Sequence, residues 1–174
     1  GTLNGKDHTQ IDAGQVNNRA GRILAGSTLN MGAGAIDNRA AGLIHSHGAA
    51  DVQVAGALHN QQGQLVSEAA LGVQAQQLNN QAGSLSAGAN LQLNAQSIDN
   101  SAKGSLSAAK QLNLTAASLN NSVAGRLSSG ADMQVTLSGE LNNRQQGLIG
   151  SQGALRIDAG SVDNQSEGEL SSAG

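Results

Sequence analysis

The chain is distinctive first for what it lacks: its 174 residues include no Cys, Pro, Phe, Tyr or Trp. The absence of cysteine excludes disulfide frameworks, thiolate metal sites and thiol catalysis. Without aromatic residues, the core must be built from Leu, Ile, Val, Met and Ala, in layers thin enough for these side chains to fill. Charge is also scarce, since 12% of the residues are charged and the net charge is −3. The sequence therefore has neither a cluster of basic residues for binding nucleic acid nor a polybasic patch for binding a membrane.

Long apolar stretches are missing as well. No run approaches the roughly 18 apolar residues that a membrane-spanning helix needs, and the first residues do not resemble a signal peptide. The low charge argues against an ordinary disordered chain, because disorder normally accompanies high net charge. We therefore expect residues 1–174 to form a single repeat segment from the interior of a longer protein.

What the sequence does contain is an internal repeat. In each copy an aliphatic residue is followed by Asn, Asp or His and then by an asparagine, and the copies are 20, 22, 20, 20, 21, 22 and 21 residues apart. The eight asparagines are Asn18, Asn38, Asn60, Asn80, Asn100, Asn121, Asn143 and Asn164. A glycine follows each of them after three or four residues. Extra residues fall only in this Asn-to-Gly turn and just before Leu58 and Leu141, so the rest of the unit is under a geometric constraint.

Short alternating runs within each copy predict strands, as in Leu91–Ala95. Gly or Asn interrupts the pattern too often for an amphipathic helix. One unit cannot bury its apolar side alone, whereas stacked units can. We therefore predict an all-β, right-handed parallel β-helix of about eight coils of 20–22 residues, since parallel crossovers are generally right-handed. A leucine-rich repeat is the alternative, but its helix is disfavoured by the Gly-, Ser- and Ala-rich stretches.

Alignment of the copies predicts which residues stack in the interior. The first columns are Val16, Ile36 and Leu58; Ile23, Ile44 and Leu65; Leu29, Ala50 and Leu71; and Met31, Val52 and Val73. We expect the asparagine column to be a structural ladder, in which each amide bonds to turn backbone or to the amide one coil away. Asparagine also tolerates the left-handed backbone that such turns need. A ligand-binding row of amides is the functional alternative.

Few residues suggest chemistry. His45 and His47 share one side of a strand or turn and His59 lies one coil along, but no neighbouring carboxylate or thiol completes a metal site. Asp37, Asp99 and Asp163 are about three coils apart, or roughly 14 Å, which is too far for a catalytic carboxylate pair. We therefore predict no catalytic, metal-binding or cofactor-binding residues, no cofactor and no enzyme activity.

Two units in particular, Leu78–Ala95 and Leu119–Gly130, resemble the repeats of filamentous haemagglutinins. These are two-partner-secretion exoproteins of Gram-negative bacteria, a group that includes large adhesins and contact-dependent growth inhibition proteins. The resemblance implies a β-helical shaft that is exported through an outer-membrane two-partner transporter and is then secreted or displayed at the cell surface. A chain without cysteine suits passage in unfolded form through a pore.

The same resemblance leaves three functions open. The shaft could present a distal adhesive or toxic domain to a target-cell surface receptor, as in cell adhesion, toxin delivery and virulence. Alternatively, this segment could itself bind a host or bacterial surface receptor, and a polysaccharide-active β-helix enzyme is the remote third choice. Because the chain carries no capping units, we also expect frayed ends or end-to-end self-association.

Overall fold

The computed structural model describes residues 1–174 and is all-β, so it has no helix long and apolar enough to cross a membrane. Its 21 strands are short because a turn residue interrupts every alternating run. The strands are β1 (Thr2–Gly5), β2 (Thr9–Asn17), β3 (Arg22–Ala25), β4 (Leu29–Asp37), β5 (Leu43–Ser46), β6 (Ala50–Val54), β7 (Ala57–His59), β8 (Gln64–Ser67), β9 (Leu71–Asn79), β10 (Ser84–Ala87), β11 (Leu91–Asp99), β12 (Ser105–Ala108), β13 (Leu112–Ala116), β14 (Ser118–Asn120), β15 (Arg126–Ser129), β16 (Met133–Leu137), β17 (Glu140–Asn142), β18 (Leu148–Ser151), β19 (Leu155–Asp158), β20 (Ser161–Asp163) and β21 (Glu169–Ser172).

The strands stack as two parallel sheets. The first sheet has the nine strands β1, β3, β5, β8, β10, β12, β15, β18 and β21, in that order, and the other twelve strands form the second sheet. The chain alternates between the sheets, so each circuit lays one coil on the coil before it. The result is the predicted parallel β-helix, a solenoid of about eight turns.

The predicted interior columns are confirmed by the strand register. Ile36 pairs with Val16 on one side and with Leu58 on the other, and Ile44 lies between Ile23 and Leu65 in the same way. Inward residues between Ile23 and Ile149 merge into one cluster of 33 buried apolar residues. Since every layer of this core is one coil thick, aliphatic side chains are sufficient to fill it.

The extra residue before Leu58 and before Leu141 is absorbed locally. Where it is absent, as in β4, β9 and β11, one nine-residue strand crosses the coil. Where it is present, the strand divides into β6 and β7 or into β16 and β17, although β13 and β14, and β19 and β20, are also separate strands in coils without the extra residue. The pairs on both sides of the first break, Val52 with Val73 and Leu58 with Leu78, remain in register. The insertion is therefore accommodated as a bulge that leaves the core columns intact.

The turns between asparagine and glycine place the left-handed backbone on residues other than asparagine. The turns do contain left-handed backbone, but it does not fall on the asparagines that tolerate it, because none of them has a positive φ. That conformation falls on the one or two residues that precede each glycine, at φ of 49–68°. These residues are Ala20, Ala40, Ala41, Gln62, Ala82, Ala102, Lys103, Val123, Ala124, Gln145, Gln146, Ser166 and Glu167. The shorter turns hold one such residue and the longer turns two, so an extra residue in the turn is absorbed as one more left-handed position.

The glycine that ends each turn is required for clearance and not for a positive φ, because no glycine has one. A Cβ on Gly104 would lie 2.5 Å from the carbonyl oxygen of Asn80 and 2.6 Å from Oδ1 of Asn100. Both distances are far shorter than a carbon–oxygen contact allows. The glycine thus lets the turn close over the asparagine of its own coil and over the backbone of the coil before.

Candidate functional site

The asparagine column forms a continuous chain of side-chain hydrogen bonds. In each of seven steps, Nδ2 of one asparagine donates to Oδ1 of the asparagine one coil further on, at 2.7–2.8 Å. Six of the eight side chains belong to residues with no exposed surface: Asn38, Asn60, Asn80, Asn100, Asn121 and Asn143. All seven bonds point the same way along the stack, from the amino-terminal coil to the carboxy-terminal one.

Each amide also binds backbone. Nδ2 of Asn100, for example, donates to the carbonyl oxygen of Arg126 at 3.1 Å and to that of Gly104 at 3.1 Å. The side chain of an interior asparagine thereby joins its own turn, the next amide and a strand of the first sheet. Because these groups are buried and already paired, they offer nothing to an external ligand.

Three side chains meet on the outer surface of the first sheet. His45 lies on the outward face of β5 and His47 follows that strand, with the two rings edge to face at a centroid distance of 4.8 Å. Glu68 lies one coil on, just after β8. Its Oε1 is 3.2 Å from Nε2 of His45 and 2.9 Å from Nδ1 of His47. We call these residues the His–Glu cluster, and their candidate ligand atoms all lie within 4.8 Å of one another.

The His–Glu cluster differs from the group of histidines considered in the sequence analysis, because it lacks His59 and includes Glu68. His59, which was considered with the other two histidines, lies in β7 of the second sheet and outside the cluster. Glu68 was missed, although a signal existed: it follows Gly63 by five residues, as His47 follows Gly42. The hydrogen bond to His47 lowers the pKa of Glu68 below its usual value; desolvation opposes this shift, and the electrostatic interactions with His47 and His45 add to it.

A shallow groove of about 430 Å³ crosses the outer face of the second sheet. It runs over β9, β11, β14 and β17 and is lined mainly by outward Gln, Asn, Ser and acidic side chains, from Gln77 to Asn142. No aromatic side chain is available to it, because the chain has none. The groove therefore offers hydrogen bonds to a polar ligand but no stacking platform.

The two carboxylates of this groove, Asp99 and Glu140, are poorly placed for glycoside hydrolysis. The register sets Asp99 beside Asn120 and then Asn142, which lies two residues after Glu140. The backbone positions that carry these two carboxylates are therefore two coils and two residues apart, or about 12 Å by strand dimensions. Glycosidases need a separation of roughly 5–9.5 Å. Asp99 also accepts hydrogen bonds from Gln81 at 2.7 Å and from Ser101 at 2.6 Å.

A stack of similar parallel coils, held by repeated apolar columns and one amide ladder, defines a β-solenoid repeat protein. The haemagglutinin repeat family matches residues 1–62, 45–103, 89–145 and 134–174. The chain belongs to the haemagglutinin repeat family. No curated protein and no solved structure matches it.

The family narrows the range of functions. Its repeats are structural and of adhesin type, they generally occur in secreted or surface-exposed proteins, and they are typical of two-partner-secretion substrates. The repeats and the β-solenoid together fit an adhesin-type shaft.

Proposed function

We propose that residues 1–174 are a section of the rigid β-helical shaft of a secreted bacterial surface exoprotein. The shaft belongs to a longer chain, an adhesin or a contact-dependent growth inhibition protein, and presents a distal binding or toxic domain to another cell. Its partners are an outer-membrane two-partner transporter during export and a target-cell receptor afterwards. It acts on the extracellular side of the outer membrane or after release, with no enzymatic step of its own.

The observation that carries this proposal is the unbroken register of the coils. The first sheet runs from Thr2 to Ser172 with one strand per coil and no interruption. Extra residues are accommodated as bulges or as additional turn residues, and the core columns stay aligned. A molecule built in this way keeps its length and stiffness while its surface side chains vary, which is what a spacer requires.

Deletion of one complete coil from the parent exoprotein tests the proposal. Removal of residues 78–97 takes out one 20-residue unit and brings Ile98 into the place of Leu78, so every interior column stays in register. We expect a folded shaft that is shorter by about 4.8 Å, with target-cell binding or toxin delivery nearly unchanged. The readouts are circular dichroism of the 174-residue chain and a target-cell assay of the parent exoprotein.

The same deletion distinguishes the second candidate function, which is that this segment itself binds a surface receptor. The groove over β9, β11, β14 and β17 favours that candidate, because it presents polar side chains from four successive coils. The deletion removes three of its lining residues, Leu78, Asn79 and Ser97. A variant that folds normally but no longer binds target cells would replace the shaft proposal with this local receptor site.

A polysaccharide-active enzyme is the third candidate, and the separation of Asp99 and Glu140 argues against it. A depolymerisation assay on pectin and other acidic polysaccharides gives the direct test, and release of reducing ends by the 174-residue chain would overturn the proposal that the shaft has no enzymatic step.

A further inference from the structure

We propose that the His–Glu cluster is a binding site for a divalent transition-metal ion, held by Nε2 of His45, Nδ1 of His47 and an oxygen of Glu68. Two imidazole nitrogens with one carboxylate oxygen form a ligand set that suits Zn²⁺, Cu²⁺ or Ni²⁺, whereas Ca²⁺ and Mg²⁺ prefer oxygen ligands alone. Zn²⁺ is the probe for the site.

The distances suit such an ion. Zinc binds imidazole nitrogen and carboxylate oxygen at about 2.0–2.2 Å, so tetrahedral ligands lie roughly 3.3 Å from one another. Oε1 of Glu68 is already 3.2 Å and 2.9 Å from the two histidine nitrogens. The side chains of His47 and Glu68 are 60% and 52% exposed, so they can adjust, and the open side leaves a fourth position for water.

The backbone sets the three ligands close together before any ion binds. His45 is on the outward face of β5, His47 lies in the bend that follows this strand, and the contact between their rings shows that they share one side of the chain. The amide of Glu68 donates to the carbonyl oxygen of Ser46 at 3.0 Å, which holds the turn after β8 against the end of β5. The ligand positions therefore follow from the stacking of two coils and not from a flexible loop.

The cluster occurs once in the solenoid. In the strand register, the position of His45 is taken elsewhere by Asn4, by aliphatic residues or by serine and glycine, and none of these is a strong metal ligand. In the other coils, the position equivalent to that of His47 is occupied by Glu68 or by lysine, glycine, alanine or glutamine. Three ligand-type side chains thus concentrate at adjacent positions of two neighbouring coils.

The charge environment favours a cation. Among basic side chains, only His45 and His47 contact the carboxylate of Glu68, and no lysine or arginine lies within ion-pair distance of it. A metal ion would replace the hydrogen bonds that now join the three side chains, with both histidines as neutral ligands. The carboxylate charge then remains within the cluster to offset part of the charge of the ion.

Titration of the 174-residue chain, prepared without an oligohistidine tag, with Zn²⁺ tests the proposal. Isothermal calorimetry should show one equivalent bound, and the ring signals of His45 and His47 should shift in NMR spectra while those of His8 and His59 do not. His45→Ser and His47→Ala should each weaken binding by more than about 100-fold, since loss of an outer-sphere partner alone costs 10–100-fold. Glu68→Gln should weaken it by about 10-fold or more.

Each substitution introduces a residue type that other coils carry at the same position, so the fold should be retained and is checked by circular dichroism. His59→Asn is the matched control, because Asn79 occupies that position in the next coil and His59 lies outside the cluster. It should change Zn²⁺ affinity by less than about 2-fold. Absence of one-to-one binding, or equal losses in the His59→Asn and His45→Ser variants, would overturn the proposal.

Discussion

Asn100 illustrates what a single side chain of the ladder contributes. Its amide accepts a hydrogen bond from Asn80 at 2.8 Å, donates to Asn121 at 2.8 Å and reaches two backbone carbonyl groups. Asn100→Ala should therefore lower the free energy of unfolding by about 1–3 kcal/mol, because buried partners are left unpaired. Urea denaturation followed by circular dichroism measures the change.

Asn94 provides the matched control in β11, the strand that ends one residue before Asn100. Its side chain is on the outer side of the sheet, between Gln74 and Thr115 in the register, and it is only half-buried. Asn94→Ala should change the free energy of unfolding by no more than about 0.5 kcal/mol. Equal losses at Asn94 and Asn100 would contradict the structural role of the ladder.

The geometry of the turns predicts opposite effects on stability for an alanine-to-glycine and a glycine-to-alanine substitution two residues apart. Ala102 has a left-handed backbone with a φ of 53°, which costs an alanine about 1 kcal/mol, so Ala102→Gly should be neutral or slightly stabilising. Gly104, two residues on, has no space for a Cβ, and Gly104→Ala should destabilise the chain by more than about 2 kcal/mol. Thermal denaturation measures the stability of both variants. A lower melting temperature for Ala102→Gly than for Gly104→Ala would contradict this account.

At the scale of the strands, register determines which deletions are tolerated. Removal of residues 78–87 leaves half a coil, so the strands that follow no longer meet the columns of the first sheet. Polar residues would then be forced into apolar positions, and we expect the chain to lose its cooperative unfolding transition. The whole-coil deletion of residues 78–97 should keep that transition. Thermal unfolding of the two variants measures the difference, and similar stabilities would contradict the proposed register.

Much of the strand architecture could be predicted from the sequence because the same physical constraint acts eight times. A column such as Ile23, Ile44 and Leu65 is apolar in every copy, and this repetition makes a single aliphatic residue informative. The extra residues before Leu58 and Leu141 could be located for the same reason, since all neighbouring positions keep their spacing.

Features without repetition could not be predicted as well. Glu68 meets His45 and His47 only because two adjacent coils happen to carry ligand-type side chains at stacked positions, and no second copy draws attention to it. The left-handed turn residues escaped prediction for a different reason. Ala, Gln and Val have no preference for that conformation, and the chain adopts it because the stacked coils on either side determine where the turn must close.

At the scale of the whole molecule, the two ends differ chemically. Asn18 has no asparagine before it to donate to its Oδ1, while Nδ2 of Asn164 donates only to the carbonyl oxygen of Gly168. A head-to-tail contact between two solenoids would continue the ladder, whereas a head-to-head contact would place two acceptors together. Leu3 and Leu170, which continue buried core columns, are 45% and 37% exposed at these ends.

We therefore expect the 174-residue chain, prepared by itself, to associate end to end as its concentration rises. Leu170→Lys should suppress this association, because it places a charge on the exposed end of the core. Val123→Lys is the control, since Val123 is 48% exposed on the side of the solenoid. Sedimentation velocity measures both variants. A monomeric wild-type chain, or equal effects of the two substitutions, would contradict head-to-tail association.

The parallel stacking also determines how the molecule should respond to mechanical force. The backbone hydrogen bonds that join successive coils, such as the bond from the Asn100 amide to the carbonyl oxygen of Asn120, point along the axis of the stack. Tension between the two termini would load only the outermost coil, which would peel away before the next coil bears any load. Each peeled coil of about 21 residues releases roughly 70 Å of chain. The solenoid would thus resist bending yet lengthen under axial tension in regular, low-force steps.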